Sequence, residues 1–302
     1  MSRNTLTRRS PGRRAAFTAG LVLAVGLGVS TQTAAQATVP APVKASAGSP
    51  SVSGFNGDVV TQIADFYGAY IDAKDDATGP DTALVKALRT HYLTPAFAKK
   101  LQAWEKKNKV DGVLRAQNIP VQWTVSEVGD SLEVVVTLTF GGGESPTTTT
   151  RFIVEQEPTG QITDIRTTSI ASARASAADR SVSGSTGDSV TRVADFFGAY
   201  VDAKDAPVGP DTALVKALRT HYLTPAFAKK LQAWEKKNKV DGVLRAQNAP
   251  VDWTVSEGAN SREIAVTHSF GGGESPTVRT DLVVKLEPVF GDVTDIRTTS
   301  AR

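Results

Sequence analysis

The sequence predicts an α+β protein built from two similar domains, and three observations support this prediction. The chain of 302 residues contains an internal repeat. The first half of each copy has the residue spacing of amphipathic helices, and the second half alternates between apolar and polar residues as strands do. Runs of helices followed by runs of strands are typical of α+β domains, in which helices pack on one side of an antiparallel sheet.

The repeat is the clearest feature of the chain. Ser51–Ser169 corresponds to Ser181–Ser300, and the 40 residues Gly79–Asn118 reappear unchanged as Gly209–Asn248. A segment that is copied together with its turns is a complete structural unit. We therefore expect each copy to contain its own helices and strands and to fold independently, like two beads on a string.

The domain boundaries follow from the repeat and from changes in composition. The stretches before and between the copies are rich in Ala, Pro and Ser and lack apolar periodicity, as solvated spacers do. The predicted segments are a signal peptide at 1–37, a spacer at 38–50, repeat domain 1 at 51–168, a linker at 169–180 and repeat domain 2 at 181–302.

The N-terminus has the pattern of a cleavable secretory signal. Five arginines and no acidic residue precede an apolar run from Ala15 to about Val29, and small residues follow at Ala35 and Ala37. About 15 apolar residues are fewer than the roughly 20 that span a bilayer. The sequence therefore predicts a secreted protein, extracellular or associated with the cell envelope, without a stable membrane anchor. The general secretory and twin-arginine routes both remain open.

Charge and cysteine content exclude several classes of function. Removal of residues 1–37 takes away five of the 34 basic residues and none of the 31 acidic ones, which leaves a net charge near −2. A nucleic-acid partner is therefore not expected, because such binding needs a basic surface. The chain has no cysteine, so it has no disulfide, thiol nucleophile or lipid-modified cysteine.

Three helices are expected at the start of each copy. In the first copy, Val59, Ile63, Phe66 and Tyr70 recur at helical spacing, which predicts a helix over Asp58–Lys74. Asp81 is placed to cap a second helix. Thr94 followed by proline gives the start signal of a third, because threonine accepts backbone amide hydrogen bonds and proline fits the first helical position.

The period then changes from helical to alternating, which predicts an antiparallel sheet of four strands. Turn residues separate the alternating stretches, as expected for a meander. The predicted strands of the first copy are Val121–Ser126, Leu132–Phe140, Thr147–Gln156 and Gln161–Thr168.

One segment gives the chain a family resemblance. DGVLRAQNIPVQW (Asp111–Trp123) recurs as DGVLRAQNAPVDW (Asp241–Trp253), and it accompanies the ADFYGAY helix, the LTPAF helix start and the closing strand GQITDIR. Together these segments resemble secreted bacterial domains of unknown function in the nuclear transport factor 2-like superfamily. The resemblance implies two conical domains, each with a pocket between its helices and a strongly bent sheet. Members include isomerases, dehydratases and proteins that only bind ligands, so the fold does not choose the function.

The same segment supplies the predicted binding residues, because it joins the helices to the first strand. Asp111 and Arg115 could pair at the mouth of such a pocket or form an ordinary surface pair, and Trp123 could line the opening or belong to the core. The predicted rim consists of Asp111, Arg115, Gln117 and Trp123 in the first copy and Asp241, Arg245, Gln247 and Trp253 in the second.

The histidines are the other candidates for chemistry. His91 and His221 lie at the end of the second helix of each copy, where a cation interacts favourably with the helix dipole, so a capping or surface role competes with acid–base work. His268 aligns with Leu138 and cannot carry an activity that both copies share. We find no metal-ligand cluster, nucleophile motif or phosphate loop, and we assign no catalytic residue, metal or cofactor.

These observations favour a non-enzymatic tandem module that binds a small ligand or an extracellular partner, since linked copies raise the effective concentration for a repetitive target. The first alternative is a small-molecule isomerase or dehydratase, with His91 or Asp111 as base and Tyr67, Tyr70 or Tyr92 as proton donor. The second alternative is a secreted inhibitor or structural envelope protein. Pairing of the two repeats with each other is a further possibility that the sequence leaves open.

Overall fold

The protein has an α+β fold. The structure, a computed structural model, describes residues 50–128, 132–142, 145–167, 180–272 and 275–299. The predicted signal peptide, nearly all of the spacer and nearly all of the linker lie outside the described residues. Among the residues described, no helix combines the length and the apolar character needed to cross a bilayer.

Both copies contain the same elements in the same order: one strand, three helices and four further strands. The elements of the first copy are β1 (Ser51–Phe55), α1 (Val59–Lys74), α2 (Thr82–Tyr92), α3 (Pro95–Asn108), β2 (Gln122–Glu127), β3 (Glu133–Gly142), β4 (Ser145–Gln156) and β5 (Ile162–Thr167). Those of the second copy are β6 (Ser181–Ser185), α4 (Ser189–Lys204), α5 (Thr212–Tyr222), α6 (Pro225–Asn238), β7 (Asp252–Glu257), β8 (Glu263–Gly272), β9 (Ser275–Leu286) and β10 (Val293–Thr298).

The predicted helix starts are confirmed by their capping bonds. The Asp58 carboxylate accepts from the amide of Thr61, and the Asp81 carboxylate accepts from two amides of α2. The Thr94 hydroxyl accepts from the amide of Phe97 at the start of α3. Each cap satisfies backbone donors that the first helical turn leaves unpaired.

The expectation of four-stranded sheets was wrong, because each sheet has five strands among the described residues. The strand orders are β1-β7-β8-β9-β10 and β5-β4-β3-β2-β6, and every neighbouring pair is antiparallel. Each sheet therefore contains four strands of one copy and the first strand of the other. Copy one sends β1 to the sheet of copy two, where Ser51 pairs with Ser256, and copy two sends β6 in return.

A tryptophan in each sheet fixes the exchanged strand. The ring of Trp253 lies against Gly54 of β1, and a Cβ at Gly54 would come within 2.5 Å of that ring. Trp123 lies against Gly184 of β6 in the same way. The glycines are thus required by close approach of a buried ring, and each tryptophan packs against a strand from the other copy.

The helices of the two copies also pack together, so the copies are not the two separate beads that the sequence led us to expect. Helix α1 contacts α4, and α2 contacts α5. Gly68 of α1 faces the Asp195 carboxylate, and Gly198 of α4 faces Asp65. One hydrophobic core runs through both copies, and residues 48–302 form one compact unit. The arrangement is not two separate conical domains.

Candidate functional site

The predicted rim residues Asp111 and Arg115 do not pair with each other. One oxygen of Asp111 accepts from the amides of Val113 and Leu114, at 2.9 and 3.0 Å. Its other oxygen accepts from the hydroxyl of Tyr70 at 2.8 Å and lies 3.1 Å from the ammonium of Lys74. Asp241 repeats these contacts in the second copy.

Arg115 has partners of its own. Its guanidinium lies 4.0 Å from the ring centre of Trp104 and donates to the carbonyl of Ile165 at 2.5 Å. Arg245 lies 3.9 Å from the ring centre of Trp234 and donates to Ile296. The expected Asp–Arg pair fails because both arginines have left-handed backbone, with φ near 55°, and the chain there is a turn rather than a helix.

The remaining rim residues divide between surface and core. Gln117 is exposed, as is Gln247, and the side chain of Gln117 meets the carbonyl of Lys109 at 3.4 Å. Trp123 and Trp253 are 3% and 1% exposed and belong to the core. Within the described residues, none of the eight predicted positions lines either of the two large clefts. As a binding rim, the set stays a prediction.

Asp111 belongs to a polar network that fastens helices α1, α2 and α3 to the following turn. Arg89 forms two hydrogen bonds to the Glu105 carboxylate, at 3.0 and 2.5 Å, and donates from Nε to the Tyr70 hydroxyl at 3.0 Å. Burial alone would raise the pKa of Asp241 in the second network, but the Leu244 amide and the Arg219 guanidinium hold it below the ordinary value. These bonds account for the repeated DGVLRAQN segment as a structural device.

The large cavities lie between the two copies. The Arg192 cleft has a volume of about 720 Å³ and the Gln62 cleft about 820 Å³. In each cleft, the loop after the first helix of one copy faces the second helix and the last β-turn of the other copy. Lining residues of the Arg192 cleft include Asp72, Asp76, Asp81, Arg192, His221 and Asp292. Those of the Gln62 cleft include Gln62, His91, Tyr92, Asp202, Asp205 and Asp211.

Both clefts have an acidic lining. Among the described residues, six carboxylates and two arginines line the Arg192 cleft, whereas four carboxylates and no lysine or arginine line the Gln62 cleft. In each cleft the carboxylates therefore outnumber the lysine and arginine side chains by four. Fields of one sign in a concave site attract ligands of the opposite charge.

The two shared histidines lie in these clefts rather than on the surface. His91 Nδ1 is 3.1 Å from the Asp211 carboxylate of the other copy, and His221 Nδ1 is 3.3 Å from Asp81. The same aspartates cap α5 and α2 with their second oxygen. Burial lowers the pKa of both histidines, which favours their neutral form, and the neighbouring aspartates oppose this shift. The expected capping role is replaced by a contact between the copies.

A tyrosine–aspartate bond lies beside each histidine. Tyr92 donates to Asp202 at 2.6 Å and Tyr222 donates to Asp72 at 2.8 Å, so each bond joins the two copies. Burial raises the pKa of Asp72 to about 6 and that of Asp202 to about 7. Sequence reasoning missed these residues because the partners are more than a hundred residues apart. One available signal was the pair Asp65 and Asp72 within the mostly apolar helix α1.

Comparison with known proteins adds little to this geometry. No protein-family model matches the chain, and no curated protein matches it. A solved structure of a protein of unknown function from Bacteroides thetaiotaomicron VPI-5482 matches with 23% identity and a TM-score of 0.30, over 35% of this chain and 87% of that chain. A likeness at that level carries no argument about function, and it does not test the resemblance to the nuclear transport factor 2-like superfamily.

Proposed function

We propose that this protein is a secreted, non-enzymatic binding module whose two sites are the Arg192 cleft and the Gln62 cleft. The observation that carries the proposal is that the duplication builds two equivalent cavities, each lined by both copies. Their volumes lie within the roughly 300–1,000 Å³ of small-molecule sites. Because each cleft needs residues of both copies, the tandem arrangement is part of the site.

The lining favours a positively charged small ligand. Among the described lining residues, carboxylates outnumber arginines in each cleft, and burial lowers the pKa of the two histidines, which favours their neutral form. Exposed apolar side chains stand at the edges, with Val208 at the Gln62 cleft and Phe290 at the Arg192 cleft. A ligand with a cationic group and an apolar part matches this combination.

One observation favours the second candidate, a small-molecule isomerase or dehydratase. His91 lines the Gln62 cleft with Asp211 at its Nδ1 atom, and a carboxylate in that position orients a histidine as a general base. The tyrosines argue against this candidate, because Tyr67, Tyr70 and Tyr92 are buried and donate to groups of the protein. Burial also raises their pKa, which makes them poor proton donors.

The test fills each cleft with a bulky side chain. Thr90 and Thr220 occupy equivalent exposed positions in the two clefts, so Thr90→Trp and Thr220→Trp form a matched pair. Gln102→Trp, on the exposed face of α3, is the control. We expect native mass spectrometry of protein purified from its own culture medium to show a small-molecule adduct, reduced in either single variant and lost in the double variant. An adduct that persists in the double variant would place the site elsewhere.

Secretion is tested by the mass of the mature chain. Small residues at Ala35 and Ala37 follow a short apolar run, so we expect the secreted protein to begin near Thr38. Intact-mass analysis of the culture supernatant measures this start. Recovery of the full-length chain in membranes alone would contradict secretion.

A further inference from the structure

The Arg192 cleft contains a guanidinium of the protein itself, and its contacts show what such a cleft can hold. The Arg192 guanidinium lies 3.7 Å from the Asp72 carboxylate and 3.2 Å from Asp292. Its carbon lies 4.8 Å from the ring centre of Tyr222, the tyrosine that donates to Asp72. A guanidinium is therefore held by two carboxylates and an aromatic face, which is a favourable environment for it.

The Gln62 cleft lacks this cation. Gln62 stands where Arg192 stands in the other copy, and its amide oxygen accepts from Gln156 at 2.6 Å. Gln161 takes the place of Asp292, and its amide meets the carbonyls of His91 and Leu93 at 3.2 and 3.4 Å. In the second copy the position of Gln156 is occupied by Leu286. The three exchanges form one set, because a hydrogen bond with Gln156 at position 62 replaces the ion pairs that Arg192 makes in the other copy.

Asp202 is consequently a buried carboxyl without a cation. It is 6% exposed and accepts from Tyr92, and no lysine, arginine or histidine of the described residues forms an ion pair with it. Asp72, its equivalent, has Arg192 at 3.7 Å. A buried carboxylate that lacks a positive partner is costly, and the cost is relieved when a cation enters.

We propose that the Gln62 cleft binds a guanidinium group of a ligand, placed against Asp202 as Arg192 is placed against Asp72. This inference rests on the proposed function, since it names the ligand chemistry of one of the two clefts. The rest of the ligand extends along the lining towards Asp205 and the exposed side chain of Val208.

The geometry favours a guanidinium over a metal ion. No group of three metal-ligating side chains occurs among the described residues. A guanidinium pairs with carboxylates through its planar set of N–H donors, and Arg192 shows such pairing with Asp72 at 3.7 Å and with Asp292 at 3.2 Å. The guanidinium could belong to a free small molecule or to an arginine side chain of a peptide. The test separates these sources.

The experiment is isothermal titration of the full chain with two probes, agmatine and the peptide acetyl-Ala-Arg-Ala-amide. We expect one site per chain. Asp202→Asn should weaken binding at least about tenfold because it removes the carboxylate. Gln62→Arg should abolish binding because a tethered guanidinium occupies the site. Arg192→Gln should add a second site. Thermal unfolding of each variant shows whether it is folded.

The outcomes are distinguishable. Preference for one probe identifies the source of the guanidinium. Unchanged affinity in folded Asp202→Asn and Gln62→Arg variants would overturn the inference. Absence of binding to the wild-type chain would also overturn it, and the proposed function would survive if the adduct removed by Thr90→Trp is still observed. If neither probe binds and no adduct is observed, the proposed function is overturned as well.

Discussion

The hydroxyl of Tyr92 donates a 2.6 Å hydrogen bond to Asp202, and the two residues belong to different copies of the repeat. Tyr222 and Asp72 form the reciprocal bond at 2.8 Å. These bonds lie inside the shared core and also beside the two clefts, because Asp72 and Asp202 are lining residues. Formation of the clefts and association of the copies are therefore the same structural event.

The helix contact between the copies leads to a first prediction. Alanine is normally favoured over glycine within a helix by about 1 kcal/mol, but a Cβ at Gly68 would overlap the Asp195 carboxylate. We expect Gly68→Ala to lower the free energy of unfolding by about 1–3 kcal/mol, as overpacking does. Urea denaturation measures the change, and Asp195→Ala in the Gly68→Ala background should recover part of it. A Gly68→Ala variant more stable than the wild type would contradict this packing.

His268 leads to a second prediction. Its ring is fully buried, neither nitrogen has a hydrogen-bond partner in the described residues, and burial lowers its pKa to about 4. The ordinary value is about 6.5, so the unfolded chain binds this proton more tightly than the folded chain. The stabilising contribution is complete above pH 6.5 and is lost as the pH falls towards 4, by on the order of 3 kcal/mol.

The measurement for His268 is urea denaturation across this pH range. The first copy has Leu138 at the equivalent position, also buried, and Tyr67 where the second copy has Phe197. We therefore expect Phe197→Tyr with His268→Leu to keep the fold and to remove the acid-dependent loss. An unchanged pH slope in this double variant would show that other groups cause the loss.

Asp202 leads to a third prediction, in which its contribution to stability is lost as the pH rises rather than as it falls. Burial raises its pKa to about 7, the Tyr92 hydrogen bond opposes that rise, and Asp205 adds to it. Asp65 of α1 is a further carboxyl that interacts with it. The folded chain binds this proton more tightly than the unfolded chain, whose pKa is about 3.9. Protonation of Asp202 therefore stabilises the folded chain fully below pH 4, and this stabilisation is lost as the pH rises to about 7.

The asparagine variant measures the Asp202 contribution. Both chains of the comparison carry His268→Leu. We expect Asp202→Asn to be more stable than its parent at pH 8. Its free energy of unfolding should change with pH by on the order of 4 kcal/mol less than that of the parent. Asp295→Asn, near the surface of β10, is the control. Equal profiles for the two asparagine variants would contradict the raised pKa.

The sequence-predicted rim leads to a fourth prediction. Arg115 and Arg245 stack on tryptophans and donate to carbonyls of the last strand of each copy. We expect replacement of both by methionine to lower the free energy of unfolding by about 1–3 kcal/mol, and to leave the mass-spectrometric adduct in place. Loss of the adduct from a folded double variant would return the site to the Asp111–Trp123 segment.

Much of the local structure could be predicted because it depends on neighbours in sequence. The caps at Asp58, Asp81 and Thr94 and the four later strands follow from short-range patterns. Strand β1 was missed because its five residues, SVSGF, carry two serines and a glycine and show little apolar alternation. It pairs with β7 and packs against Trp253, and both belong to the other copy.

The association of the copies left one signal in the sequence that was not used. Helix α1 has no lysine, arginine or glutamate from Val60 to Ala73, and its structure buries nearly its whole circumference. A helix with so few charged residues is expected to be covered on most of its sides. The clefts could not be predicted, because their residues come from both copies and follow no motif.

The most direct test of the shared core is to cut the chain within residues 169–179 after folding. A protease site placed there separates the two copies covalently while leaving every described contact in place. The exchanged strands and the single core predict that the two fragments elute together in size-exclusion chromatography and unfold in one cooperative transition. Two fragments that separate without denaturant, each with its own cooperative unfolding, would contradict the account.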